Sequence, residues 1–239
     1  MPPDRDPTAP VPDWRPPSRP DFETLEGRWA RLERLDPARH ADDLFAANRA
    51  SDAIWDYLPY GPFQQRDDYA AWLATVASTD DPCFYAIQDR ATDRFTGVAS
   101  YLHVAPDAGS VEVGHINFAP ALQRTRAATE AMFLMMQWAF DAGYRRYEWK
   151  CNAANAGSRR AAQRFGFSYE GVFRQAAVVK GRNRDTAWFA AIDSEWPDLR
   201  MAFQTWLAPE NFTNDGHQKR SLADLTRPIL VAHDPSIKS

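Results

Sequence analysis

The chain has 239 residues, 44% of them hydrophobic and 13% aromatic, enough to build one sizeable core with appendages. A formal net charge of −4 gives no overall basic field for nucleic acid, and Cys83 and Cys151 stand outside any metal-ligand spacing, so they read as buried free thiols in a reducing compartment. No apolar run has the length of a membrane span and the N-terminus shows no apolar signal segment, so neither spanning nor secretion is expected and the cytoplasm is the default.

Taken in order, the chain opens with an arm over residues 1–21 that holds eight of the eighteen prolines, interleaved with Asp and Arg. It lacks apolar periodicity and reads as an extended segment, ordered only where docked, with Trp14 and Phe22 as anchors. A domain over 22–195 follows. Gly27 to Leu35 alternates apolar and charged residues and reads as the first strand; Asp36-Pro37 then starts a helix. Asp52 to Leu58 is a short helical piece ended by Pro59-Tyr60-Gly61-Pro62, and Gln65 to Ser78 is a second helix. Cys83 to Asp89, Phe95 to Val104 and Ser110 to Phe118 are strands, the last two joined by a turn at Pro106 to Gly109.

Ala119 to Phe140 organises the rest. A proline-marked turn runs through Gln123-Arg124-Thr125-Arg126 into a helix with Ala128, Ala131, Met132, Met135, Trp138 and Ala139 on one stripe. Strand, polar turn and helix N-terminus in succession leave backbone N–H groups unpaired at the positive end of a helix dipole, a natural seat for phosphate. Beyond it come a strand at Tyr147 to Asn152, a helix at Asn155 to Phe165, and two closing strands at Tyr169 to Val179 and Asp185 to Ile192, around the basic turn Lys180 to Arg184. The C-terminal segment, 196–239, starts as a helix, turns polar, and has a last short helix at Ser221 to Leu225. The order predicts an α/β fold: a mixed, largely antiparallel twisted sheet flanked by helices.

Gln123-x-x-Arg126-x-Ala128 followed by Thr129-Glu130-Ala131 resembles the pyrophosphate loop of the GNAT superfamily of N-acetyltransferases, in its RimJ/RimL-like branch. Asn155-x-x-Ser158-x-x-x-Ala162, then Gly166-Phe167 and Glu170-Gly171, resembles a second segment of that branch at a fitting distance. The resemblance covers roughly residues 25–192. It implies acetyl-CoA, or another short acyl-CoA, as co-substrate, no metal, and a small-molecule, peptide or protein amine as acceptor. Residue by residue, it implies that the backbone at Asn117 and Phe118 pairs with the pantetheine arm. Gln123, Arg124, Thr125, Arg126, Ala127 and Ala128 would hold the pyrophosphate. Asn155 would bond pantetheine or substrate, and Ser158 would contact the cofactor and donate to the departing thiolate. Read without the resemblance, Asn155 and Ser158 fit helix capping, and Arg159, Arg160 and Arg164 fit a solvated helix face.

A neutral amine must attack the thioester, so a base is needed. Glu112 and His115 are the candidates on the strand feeding the loop, and Glu112 is preferred. Regular alternation puts the two on opposite faces unless a bulge intervenes. Trp55, Tyr57, Tyr60, Phe63 and Trp72 lie where the family builds its acceptor wall, though a core role fits them equally. The sequence also departs from the family: Arg126 stands at the loop's central glycine, Ala162 where some members place a general-acid Tyr, and Ala177 where many carry a Glu. These departures keep open a non-catalytic acyl-CoA-binding or sensing protein. A nucleic-acid-binding domain using Arg145-Arg146, Arg159-Arg160 and Lys180 to Arg184 is disfavoured by the net acidity and the lack of interleaved aromatics. Arm and tail are each long enough to wrap a second copy, so a homodimer is compatible with the chain.

Overall fold

A computed structural model describes residue 6 and residues 8–237; the expectation of an extended arm over residues 1–5 and 7 lies outside them. Among the described residues the chain forms eight strands and six α-helices in a mixed α/β order, the strands largely antiparallel and flanked by helices. They divide between two compact units.

The first unit comprises Arg19–Val104 and Val111–Trp138. Its strands β1 (Thr24–Glu26), β2 (Ala30–Arg34), β3 (Cys83–Asp89), β4 (Arg94–Ala105) and β5 (Ser110–Phe118) neighbour one another in sequence order. The strand expected from Gly27 starts only at Ala30, and the short strand β1 ends just before Gly27. The chain turns over at Gly27 to Trp29, because the carboxylate of Glu130 accepts the N–H groups of Arg28, Trp29 and Ala30 at 3.0, 2.5 and 2.7 Å. That acceptor lies a hundred residues downstream, where no local pattern could announce it.

Helices α1 (Pro37–Asn48) and α2 (Arg66–Ala77) begin where the sequence predicts. Asp36 caps α1 by accepting the Ala38 N–H, and Pro37 fills the first turn, where its missing donor costs nothing. Both helices bury Leu44, Tyr69 and Leu73 against Phe84, Ala86 and Val98 of the strands. Alternation along β3 sends the next residue, Tyr85, to a different partner: its ring stacks on Phe22 at 4.3 Å, and Phe22 also meets Tyr101 and Trp138. Tyr101 donates its hydroxyl to the Met135 carbonyl of α3 (Arg126–Asp141).

The second unit comprises the described residues up to Ser18, Ala105–Ser110 and the chain from Ala139 onward. Strand β6 (Arg146–Asn152) pairs antiparallel with β8 (Arg182–Ile192), which pairs with β7 (Ser168–Val179). The last hairpin is tighter than expected: Val179 pairs with Arg182, leaving Lys180-Gly181 as a two-residue turn with φ of 49° and 72°. Positive φ at both positions is the geometry that follows strand twist. Helices α4 (Ala156–Arg164), α5 (Trp196–Leu207) and α6 (Leu222–Thr226) complete this unit, in which Trp149, Phe165 and Phe167 are buried and Phe203 of α5 stacks on Phe165. Trp14 lies over Gly109, where any Cβ would strike its ring, and under the Arg145 guanidinium.

The tail is docked as well. Ala232 accepts the Tyr169 N–H, and Arg159, expected in a solvated face, is buried with its Nε and one terminal nitrogen on Asp234.

Candidate active site

In the first unit the end of β5 is drawn close to β4. A Cβ on Gly97 would lie 2.6 Å from Leu122 and 3.1 Å from the Asn117 carbonyl, so only glycine permits the approach. Past β5 the chain turns at Ala119, whose carbonyl accepts the N–H groups of Leu122 and Gln123. The Gln123 amide donates back to the Phe118 carbonyl at 2.8 Å, closing the loop on the strand that feeds it. Arg124, exposed, takes a φ of +63°.

Thr125 then caps α3. Its hydroxyl accepts the Ala128 N–H at 3.0 Å and donates to the Leu122 carbonyl at 2.7 Å, while its carbonyl accepts the Thr129 N–H. The N–H groups of Arg124 and Ala127 have no acceptor among the described residues. Unsatisfied N–H groups at the positive end of a sixteen-residue helix, beside an exposed guanidinium, are suited to hold phosphate oxygens. The glycine-to-arginine departure at Arg126 is benign for the backbone, because the positive φ falls at Arg124 and Arg126 is the first residue of the helix. Its guanidinium sits 4.8 Å from the Trp29 ring centroid, a cation–π contact.

Asn117 is 2% exposed, and neither polar atom of its side chain has a partner. An amide left so, one step from the loop, costs folding free energy that a hydrogen-bonding ligand would recover.

Two ionisable side chains stand further back on β5. Glu112 is buried, with Oε2 2.7 Å from Nδ1 of the exposed His103. The N–H groups of His103 and Val104 in turn donate to the Asp81 carboxylate. His115 has a φ of +50°, so regular alternation stops there. Its Nδ1 lies 3.1 Å from the Tyr60 hydroxyl, and the two rings stack. Nothing in the sequence signals either contact, since His103 and Tyr60 are reached across the sheet and from a loop.

Of the proposed aromatic wall, Trp55, Tyr60, Phe63 and Trp72 form one cluster with Tyr69, while Tyr57 is exposed. Trp55 is buried in the core beneath α1 and α2.

In the second unit Asn155 is the N-cap of α4, its Oδ1 accepting the Ser158 N–H at 3.0 Å. The Ser158 hydroxyl accepts the Trp149 indole N–H at 3.0 Å and also meets Cys151, whose thiol burial pushes up in pKa. Ala162, at the family's tyrosine position, is fully buried.

The family model for the acetyltransferase (GNAT) domain matches residues 31–168. A GCN5-related N-acetyltransferase from Brucella melitensis is 46% identical, covering 91% of this chain and all of its own, with a TM-score of 0.89. A probable GNAT-family acetyltransferase from Chromobacterium violaceum is 42% identical over 82% of this chain and all of its own, with a TM-score of 0.76. At 18% identity, a microcin C7 self-immunity acetyltransferase in complex with acetyl-CoA and AMP shares the fold over 70% of this chain and 93% of its own, with a TM-score of 0.62. A comparison with curated proteins returns no significant match. No helix among the described residues is long and apolar enough to cross a membrane.

Proposed function

This chain belongs to the GNAT acetyltransferase family, and we propose that it transfers acetyl from acetyl-CoA to a primary amine by direct attack in a ternary complex, as in the RimJ/RimL-like branch. The observation that carries the reading is the Thr125-capped start of α3, with the N–H groups of Arg124 and Ala127 lacking acceptors beside the exposed Arg124 side chain. The pyrophosphate is assigned to Gln123 through Ala128, and the pantetheine arm to the backbone of Asn117 and Phe118. The orphaned Asn117 amide fits a ligand that brings amide groups of its own.

Acetyl-CoA supplies an activated thioester. The residues do the rest. Glu112, held by His103, is placed against the positive charge that develops on the attacking amine. Ser158 is given the proton transfer to the departing thiolate: with its oxygen already accepting from Trp149, its own hydrogen is directed away from the indole. Asn155 holds the backbone of Ser158 in place and contacts the cofactor.

The acceptor class follows from pKa. A lysine ε-amine, near about 10.4, is almost wholly protonated at neutral pH, whereas an α-amine near about 8 is partly neutral. Without a tyrosine at position 162 or a glutamate at 177, this chain is matched to α-amines or weakly basic small amines. Incubation with acetyl-CoA and a panel of peptide α-amines, lysine side chains and small amines, read as thiol release, tests this. Release with α-amines or weakly basic amines supports it. Clear preference for lysine side chains contradicts the acceptor class, and binding of acetyl-CoA without release from any amine would favour the sensing alternative.

A further inference from the structure

His115 and Tyr60 meet through two unusual pieces of backbone. His115 takes a φ of +50° inside β5, a value rarely found for a residue with a Cβ. Tyr60 comes from the loop before α2, and the next residue, Gly61, has a φ of +66° and lies so close to Trp55 that a Cβ would come within 2.6 Å of the indole. The loop is thereby clamped onto Trp55, and Tyr60 lies parallel to the imidazole, centroids 5.6 Å apart and planes 15° apart. Phe84 flanks the imidazole at 5.1 Å and Trp72 flanks the phenol at 4.3 Å. Strained backbone that persists in a folded protein concentrates where a side chain must be aimed.

Burial holds the Tyr60 phenol far above its usual pKa, so the hydroxyl keeps its proton, 3.1 Å from Nδ1 of His115. When the hydroxyl donates across this contact, the neutral imidazole carries its own proton on Nε2. Tyr69, on α2, is a further titratable group set against Tyr60.

We infer that Tyr60 and His115 form a proton relay for acyl transfer: Tyr60 Oη takes the proton that the attacking amine sheds, while its own proton passes to His115 Nδ1. The inference rests on the acetyl-CoA-dependent reading of the chain, in which the thioester lies along β5. The amine lone pair forms the C–N bond, the C–S bond breaks with its electron pair on sulfur, and the thiolate takes one proton through the Ser158 hydroxyl, which regains its own from water. The surplus amine proton, relayed to His115, passes to water, so one proton leaves the amine and one reaches the thiol. The pair outperforms a lone phenol as a base because the proton comes to rest on an imidazole, whose ordinary pKa of about 6.5 suits exchange at neutral pH.

Two readouts test the relay. In steady-state turnover, His115→Asn and Tyr60→Phe should each lower kcat roughly 100-fold at neutral pH while leaving the KM for acetyl-CoA within about twofold. The pH dependence of kcat should lose its neutral inflection in His115→Asn. In the free protein, Tyr60→Phe should displace the histidine NMR titration that His115→Asn abolishes, because the Nδ1 bond is gone. Tyr60→Phe keeps the ring stack, which separates loss of the hydroxyl from loss of packing. If the parent protein turns over amines and both variants retain kcat within about threefold, the relay is wrong and the acetyltransferase reading stands. If Tyr60→Phe leaves the His115 titration unmoved, the bond is absent and the relay is overturned. A parent protein inactive towards every amine overturns both.

Discussion

Arg159 and Asp234 form a two-point ion pair, with N–O distances of 2.6 and 2.7 Å, in which the carboxylate is fully buried and the guanidinium nearly so. Arg159 also donates to the Ala153 carbonyl, so the pair ties the C-terminal tail to α4 at the turn before Ser158. Leaving one member of such a pair unpaired costs about 3–5 kcal/mol. Asp234→Ala should therefore lower the unfolding free energy by about that amount in urea titration. Replacing both residues with leucine should cost clearly less, since no charge is stranded.

Glu130 gives a second test. It is a buried acceptor for three successive N–H groups, so Glu130→Ala strands donors at the β1–β2 turn. Each buried unsatisfied donor costs about 1–3 kcal/mol, and a loss of about 3 kcal/mol or more is expected. Gly27→Ala should also destabilise, because its Cβ would strike the same carboxylate. Thermal melts of both variants measure this.

His40 predicts a pH dependence. It is fully buried; its Nδ1 accepts the Asp36 N–H at 3.0 Å, and its Nε2 faces Glu33 at 3.2 Å. An imidazole with Nδ1 already accepting is neutral, and burial lowers its pKa below 6.5 although Glu33 pulls the other way. A depressed folded-state value means that the unfolded chain binds the proton more readily. This contribution is complete above about pH 6.5 and is lost as pH falls through the folded value. The urea midpoint should drop between pH 7 and pH 5, and His40→Gln should flatten that part of the profile.

Ser158→Ala separates chemistry from packing. It strands the N–H of the buried Trp149 indole, at a cost of about 1–3 kcal/mol, but also removes the proton assigned to the thiolate. We expect a fall in kcat of about tenfold or more, with the stability change confined to that scale, measured by steady-state turnover and urea unfolding on the same preparation.

Much of the fold was legible because its signals are local. Strands β3 and β5 and the start of α1 lie where alternation and Asp36-Pro37 put them, and the family was legible in two ordered motifs. What was not legible depends on distant partners. The late start of the strand expected from Gly27 rests on Glu130, the burial of Arg159 on Asp234, and the contacts of Glu112 and His115 on His103 and Tyr60. The break in alternation on β5 falls at a histidine, a residue that does not advertise positive φ as glycine would. Likewise the loop's positive φ lies at Arg124, so the missing glycine at Arg126 pointed to the wrong residue.

The central claim is that the start of α3 holds the pyrophosphate of acetyl-CoA, and calorimetric titration of the protein with acetyl-CoA tests it most directly. One site of micromolar affinity is expected, weakened by Arg124→Glu. No heat of binding with acetyl-CoA, succinyl-CoA or free CoA would contradict the account, leaving a GNAT fold whose loop no longer serves a cofactor.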